Sequence, residues 1–172
     1  MIQVQATYQS ILRNGKIMIS SSYEFNYGLS FVNEETQKEI ENILCNIKPT
    51  IRRNGVSFIN KDIKNCLSKN GWIENYMLSL DSKISIPFFR DGIGACIQTG
   101  NISRIYADML KLQTLYLNQK IKVGIIIVPH IRIAKLLGSN MANFERLVRE
   151  LNIFKDVITL PLIIYGFDEE NV

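Results

Sequence analysis

Histidine is nearly absent from this chain: His130 is the only one in 172 residues. A metal site built from several histidines of one chain is thereby excluded, and a Ser/His or Cys/His nucleophile would have to use that single ring. His130 follows Pro129 at the end of an apolar run, which favours a local structural role over catalysis. Cysteine is scarce too. Cys45, Cys66 and Cys96 are odd in number and form no Cys-x-x-Cys pair, so they are expected to be buried free thiols rather than a disulfide or a zinc site. Long hydrophobic runs are missing. The stretch from Val123 to Pro129 is far shorter than the roughly 20 residues that cross a bilayer. Met1-Ile2-Gln3-Val4-Gln5 lacks the basic segment and apolar stretch of a signal peptide, so a cytoplasmic protein with no membrane partner is expected. Neither sign of charge dominates. The balance of 20 basic against 16 acidic residues, net +4, permits an anionic partner without demanding one.

What is present reads as a globular chain. A hydrophobic content of 47% with 21% charged residues excludes fibrous and low-complexity classes, and 172 residues fit a single domain, 1–172, with a sizeable core. No repeat or linker divides it. Ile2, Val4 and Ala6 alternate with polar neighbours, as do Ile17 and Ile19, with Asn14-Gly15 as a turn between two strands. Asn33 is placed to cap a helix whose first turn carries Glu34 and Glu35. Ile40, Ile43, Leu44 and Ile47 give it one apolar stripe, and Pro49 stops it. Arg52-Arg53-Asn54-Gly55 reads as a basic turn. A second helix is expected from an Asn60 cap, with Ile63, Cys66 and Leu67 on one face and Asn70-Gly71 at its end.

From Ile84 to Gln98 the pattern is strand, tight Asp91-Gly92 turn, strand. A long helix follows from Ile102 to Asn118. Ile105, Met109, Leu112 and Tyr116 line its apolar face, and Arg104, Asp108 and Lys111 lie off that face. Val123 to Val128 suits a strand covered on both sides. Asn140 to Leu151 reads as a helix and Val157 to Tyr165 as a further buried strand. The fold class is α/β, or α+β with a mixed sheet: a central sheet flanked by helices.

The stretch Pro87-Phe88-Phe89-Arg90-Asp91-Gly92-Ile93-Gly94-Ala95-Cys96-Ile97-Gln98-Thr99-Gly100-Asn101 resembles the metal hairpin of the PD-(D/E)xK nucleases. More narrowly, the chain from Gly71-Trp72 onward resembles type II restriction endonucleases of the BglII/BstYI kind. Their pattern is Asp, eight residues, Glu, one residue, Gln, then a helix. Gln98 falls on the glutamine, Gly100-Asn101 and the helix from Ile102 follow in order, and Lys120 to Pro129 and Leu160 to Gly166 resemble the next strands. Glu39-Ile40-Glu41-Asn42-Ile43 more loosely resembles the N-terminal helix. The resemblance implies a restriction-endonuclease-like core, double-stranded DNA as partner, two-fold pairing as homodimer or heterodimer, and Mg²⁺ held by acids on adjacent strands to activate water.

This chain departs from that pattern at the acids. Pro87 stands at the aspartate and Cys96 at the glutamate. Proline offers no side-chain ligand, and a thiol is too soft for Mg²⁺. The expected metal set is therefore none, and Gln98 marks the degenerate site. Asp91, Glu74 and Asp81 are the candidate displaced acids, with Asp91 the first choice although it also reads as a turn residue. Arg52, Arg53, Arg90, Asn101, Arg104 and Lys111 are the candidate DNA contacts. Three functions follow: a DNA-binding protein that no longer cleaves, an active Mg²⁺-dependent endonuclease using a displaced acid, or a non-catalytic protein-binding subunit or inhibitor.

Overall fold

The computed structural model describes residues 9–13, 16–46 and 55–171. The strand read at Ile2 to Ala6, the Asn14-Gly15 turn, the helix stop at Pro49 and both Arg52 and Arg53 lie outside the described residues. One seven-stranded mixed sheet organises the rest, in the order β1-β2-β7-β6-β5-β4-β3. Its strands are β1 (Gln9–Arg13), β2 (Lys16–Phe25), β3 (Ile73–Ser79), β4 (Ile84–Arg90), β5 (Ile93–Ile97), β6 (Val123–Pro129) and β7 (Leu162–Asn171). The centre, β5-β6-β7, is parallel, and the outer pairs are antiparallel. Every residue of β6 is buried, which is why its sequence is continuously apolar instead of alternating.

Helices cover both faces. On one side α1 (Glu34–Cys45) and α2 (Gly55–Lys69) bury Ile40, Leu44, Ile63 and Leu67 against Phe88, Ala95, Val123, Ile125 and Tyr165. On the other, α3 (Ser103–Leu117) and α5 (Phe144–Leu151) bury Ile105, Met109, Leu112, Leu147 and Leu151 against Ile86, Cys96, Ile126 and Ile164. Asn33 caps α1 as expected, its Oδ1 accepting from Thr36 N at 2.8 Å. His130 precedes α4 (Ile131–Leu137). Its Nε2 lies 2.5 Å from Ser21 Oγ and its Nδ1 2.8 Å from Glu145 Oε1, so one ring ties β2 to α5. Ser21 is only 3% exposed, so its hydroxyl meets no substrate and the cluster is a structural pin.

Five elements differ from the sequence reading. Asn60 sits inside α2, which starts at Gly55. The helix read from Asn140 starts at Phe144, because Asn143 Oδ1 accepts from Arg146 N at 2.9 Å while Asn140 turns with φ 55. β3, which pairs with β4, and α4 were not foreseen at all. The last strand begins at Leu162, not Val157. Pro161 interrupts the apolar run with a residue that has no N–H. The Gln113 side chain holds Thr159 and Leu160 in a turn, accepting from both backbone N–H groups at 3.0 Å, and Val157 is 64% exposed. Cys66 is exposed, against the expectation of three buried thiols; Cys45 and Cys96 are buried, and none of the three forms a disulfide among the described residues.

Candidate functional site

The β4–β5 hairpin turns on Asp91 and Gly92, both in the left-handed region with φ 50 and 78. Asp-Gly is the pair that tolerates a tight turn of this kind. From the turn the ladder runs through Arg90↔Ile93, Phe89↔Gly94 and Phe88↔Ala95, and there it ends. One step further along this register Pro87 faces Cys96. Proline has no N–H to continue a ladder, so the strands part at this pair. Past Cys96 the chain still follows β6: Ile97 pairs with Ile127, and Gln98 N donates to Ile127 O at 2.9 Å. Gly100-Asn101 then leads into α3, with Asn101 Oδ1 accepting from Ser103 N and Oγ, each at 2.9 Å.

A cleft of about 510 Å³ opens where the strands part, between α2 and α3. Pro87, Gln98 and Thr99 form its floor, Lys64 reaches it from α2, and Arg104, Asp108 and Lys111 reach it from α3. Gln98 and Asp108 are both more than nine-tenths buried. Gln98 Nε2 donates to Asp108 Oδ2 at 3.0 Å, and Gln98 Oε1 accepts from Gly100 N at 3.1 Å. Lys111 Nζ donates to Asp108 Oδ1 at 3.2 Å. Both oxygens of the one carboxylate in the cleft are therefore engaged. Thr99, 1% exposed, keeps a hydroxyl with no hydrogen-bond partner, and the buried Oδ1 of Asn60 has none either. Lys64 and Arg104 are exposed and have no acidic partner among the described residues.

Cys96 is fully buried beneath this floor. Burial pushes its thiol well above the ordinary value, the Asp108 charge pushes it further, and Lys111 only partly opposes them. The sulfur stays protonated at neutral pH, and a metal ligand would have to be the thiolate. A hard divalent cation would thus meet one carboxylate already held by Gln98 and Lys111, with nothing from Pro87. Among the described residues no group of three or more His, Cys, Asp or Glu side chains could hold a metal ion. This donor set does not fit Mg²⁺.

The site residues read from sequence do not all come together. Gln98, Arg104 and Lys111 line the cleft, and Asn101 sits just outside it, fixing the start of α3. Asp91 is exposed in the turn at the opposite end of the hairpin, four residues from Pro87, and does not line the cleft. Glu74 lies on β3 and accepts from the Ser68 hydroxyl, while Asp81 lies in the exposed β3–β4 turn; neither lines the cleft. Arg90 also sits elsewhere. Its guanidinium donates to Glu39 Oε2 at 2.9 Å, to the Asn70 carbonyl at 2.7 Å and to Thr36 Oγ1 at 3.0 Å, and it lies 4.6 Å from the centre of the Trp72 ring. Trp72 Nε1 donates to the same Glu39. That side chain fastens the hairpin to α1 and α2. Sequence reasoning missed Lys64, Thr99 and the burial of Asp108. The available signal was the spacing of Arg104, Asp108 and Lys111, a polar stripe along one face of α3.

Comparison with known proteins agrees with this architecture. Residues 21–167 match the family model described as restriction endonuclease BglII/BglIII. The crystal structure of BglII complexed with a DNA 16-mer superposes with a TM-score of 0.72 at 18% identity, over 86% of this chain and 77% of that one. That of free BglII gives 0.64 at 19% identity, over 86% and 78%. No curated protein matches the chain in sequence. Matched over most of its length, the chain belongs to the BglII/BglIII restriction endonuclease family.

Proposed function

We propose that this protein binds double-stranded DNA through the cleft at the open end of the β4–β5 hairpin and does not cleave it. One observation carries the reading. At the position where the family resemblance calls for two metal-binding acids, the register sets Pro87 beside a buried, protonated Cys96, and the cleft above them presents Lys64, Arg104 and Lys111. Cations suit phosphate contacts. The missing acids remove the cation that would activate water. The same reading takes residues 1–172 as one cytoplasmic domain that pairs with a second copy or a related chain on a two-fold site. An active nuclease using a displaced acid gains no support from Asp91, Glu74 or Asp81, which lie outside the cleft.

Two measurements test it together. In gel-shift titration, duplex DNA should bind with an affinity that falls steeply as salt rises. A supercoiled plasmid held with excess protein and Mg²⁺ or Mn²⁺ should stay uncut. A flat salt response or no shift at low salt removes the DNA-binding part, and nicking removes the non-cleaving part.

A further inference from the structure

We propose that the cleft is a metal-independent phosphate pocket, in which the Lys111 ammonium held by Asp108 occupies the role of the absent metal. The inference rests on the cleft reading above and adds how the anion is held. In a metal site a carboxylate holds a cation, and the cation holds phosphate. Here the order is the same. Asp108 fixes Lys111 at 3.2 Å through Oδ1, and Gln98 holds its other oxygen at 3.0 Å. An ammonium has three donors, and the ion pair uses one, which leaves the rest for an anion in the cleft.

The other charges complete the balance. Lys64 and Arg104, unpaired among the described residues, face the same space. Against the single charge of Asp108, the three cations give the cleft a net charge of about +2 at neutral pH. Charge alone would make this a solvated surface. The independent sign of a ligand is Thr99, 1% exposed, on the cleft lining, with a hydroxyl that has no partner. Buried hydroxyls rarely stay unpaired, because water-free burial without a hydrogen bond is costly. A phosphate oxygen satisfies it as an acceptor. Asn60, on the same lining, also carries an unpartnered buried amide oxygen. Turning that amide over presents its NH₂ to the anion instead. Pro87 contributes by exclusion, since it brings no negative charge to repel phosphate.

The test titrates the whole protein with inorganic phosphate, followed by calorimetry, with and without Mg²⁺, and runs the DNA gel shift in parallel. The expected result is saturable phosphate binding that Mg²⁺ does not strengthen and that Lys64→Gln/Arg104→Gln weakens at least tenfold. Thr99→Val keeps the shape and removes only the hydroxyl, so it should weaken phosphate binding several-fold while thermal stability holds or rises. If the paired variants also weaken the gel shift, the phosphate is that of the DNA backbone. If they weaken only the titration, the pocket serves free phosphate. Binding that requires Mg²⁺, that none of the variants alters, or that never saturates overturns the proposal. A gel shift that persists in that case leaves the DNA-binding reading standing, and a saturable titration without a gel shift overturns that reading alone.

Discussion

Replacing Arg90 with alanine separates a structural role from a DNA-contact role for the same residue. The guanidinium reaches two partners in α1, Glu39 and Thr36, and the carbonyl of Asn70 just past α2, and it stacks on Trp72. Both members of the Arg90–Glu39 ion pair are less than one-fifth exposed, so water screens it only partly. Arg90→Ala leaves the Glu39 carboxylate with the Trp72 N–H as its remaining donor. Losing a hydrogen bond to a charged group costs about 1.5–3 kcal/mol, and losing the stacked cation adds roughly 0.5–1 kcal/mol. The Asn70 carbonyl is exposed and rehydrates at little cost. The sum is about 3 kcal/mol. At roughly 2–4 °C per kcal/mol for a chain of this size, Tm should fall by about 6–12 °C.

The assay is urea unfolding of wild type, Arg90→Ala and Arg90→Lys, with a gel shift well below the melting range. The alanine variant should lose midpoint with an unchanged slope. Lysine keeps the charge but cannot span three partners with one flat fork, so it should recover less than half the loss. DNA affinity should change by less than about twofold. A tenfold fall in salt-sensitive affinity with an unchanged unfolding midpoint would refute the structural assignment and return Arg90 to the DNA-contact set.

Two further predictions concern stability. In Gly94→Ala the new Cβ would lie 2.7 Å from Leu112 Cδ2 and 3.0 Å from Ile86 Cδ1; overpacking of this kind should cost about 1–3 kcal/mol in urea unfolding. Burial pushes the Glu150 carboxyl up, but the Arg146 and Tyr106 hydrogen bonds and the Arg146 and Arg149 charges outweigh it and hold the group below the usual range. A lowered carboxyl stabilises the fold above the unfolded value of 4.5 and loses that contribution as pH falls through its folded value. Glu150→Gln should therefore be less stable than wild type at pH 7, with the gap closing below about pH 4.5; a gap that stays constant down to pH 3 would count against the cluster.

The fold was legible where one residue type dominates a segment. β6 and α1 were readable because continuous burial and a single apolar stripe each leave an unambiguous pattern, and Asp91-Gly92 declared its turn through backbone geometry. The failures have a common cause. β3 alternates poorly, since it is an edge strand with Ile73 and Met77 exposed and Asn75 at φ 53. β7 was extended too far because an apolar run does not show that a distant glutamine, Gln113, will take up the backbone donors of its first half. Local spacing marked Gln98 and Arg104. It did not reveal that Asp108 turns inward or that Lys64 comes from a helix more than 30 residues earlier, because tertiary packing makes both placements.

The hairpin carries two separable tasks, one at each end. Its turn end is held to α1 and α2 by Arg90, Glu39 and Trp72, and none of those residues lines the cleft. Its open end can then change chemistry without changing the fold. Proline fits at position 87 because the β4–β5 ladder has already ended there. Cysteine fits at 96 because the site is fully buried in the same apolar cluster as Ile86, Ile105 and Met109. A glutamate there, with no divalent cation, would place a second carboxylate beside buried Asp108, and an uncompensated buried charge is expensive. On the proposed reading the thiol and the proline belong together with the Lys111–Asp108 pair: with an ammonium in the cation position, acids at 87 and 96 would be a liability to the fold, and a cleft without them would keep the attraction for phosphate proposed above.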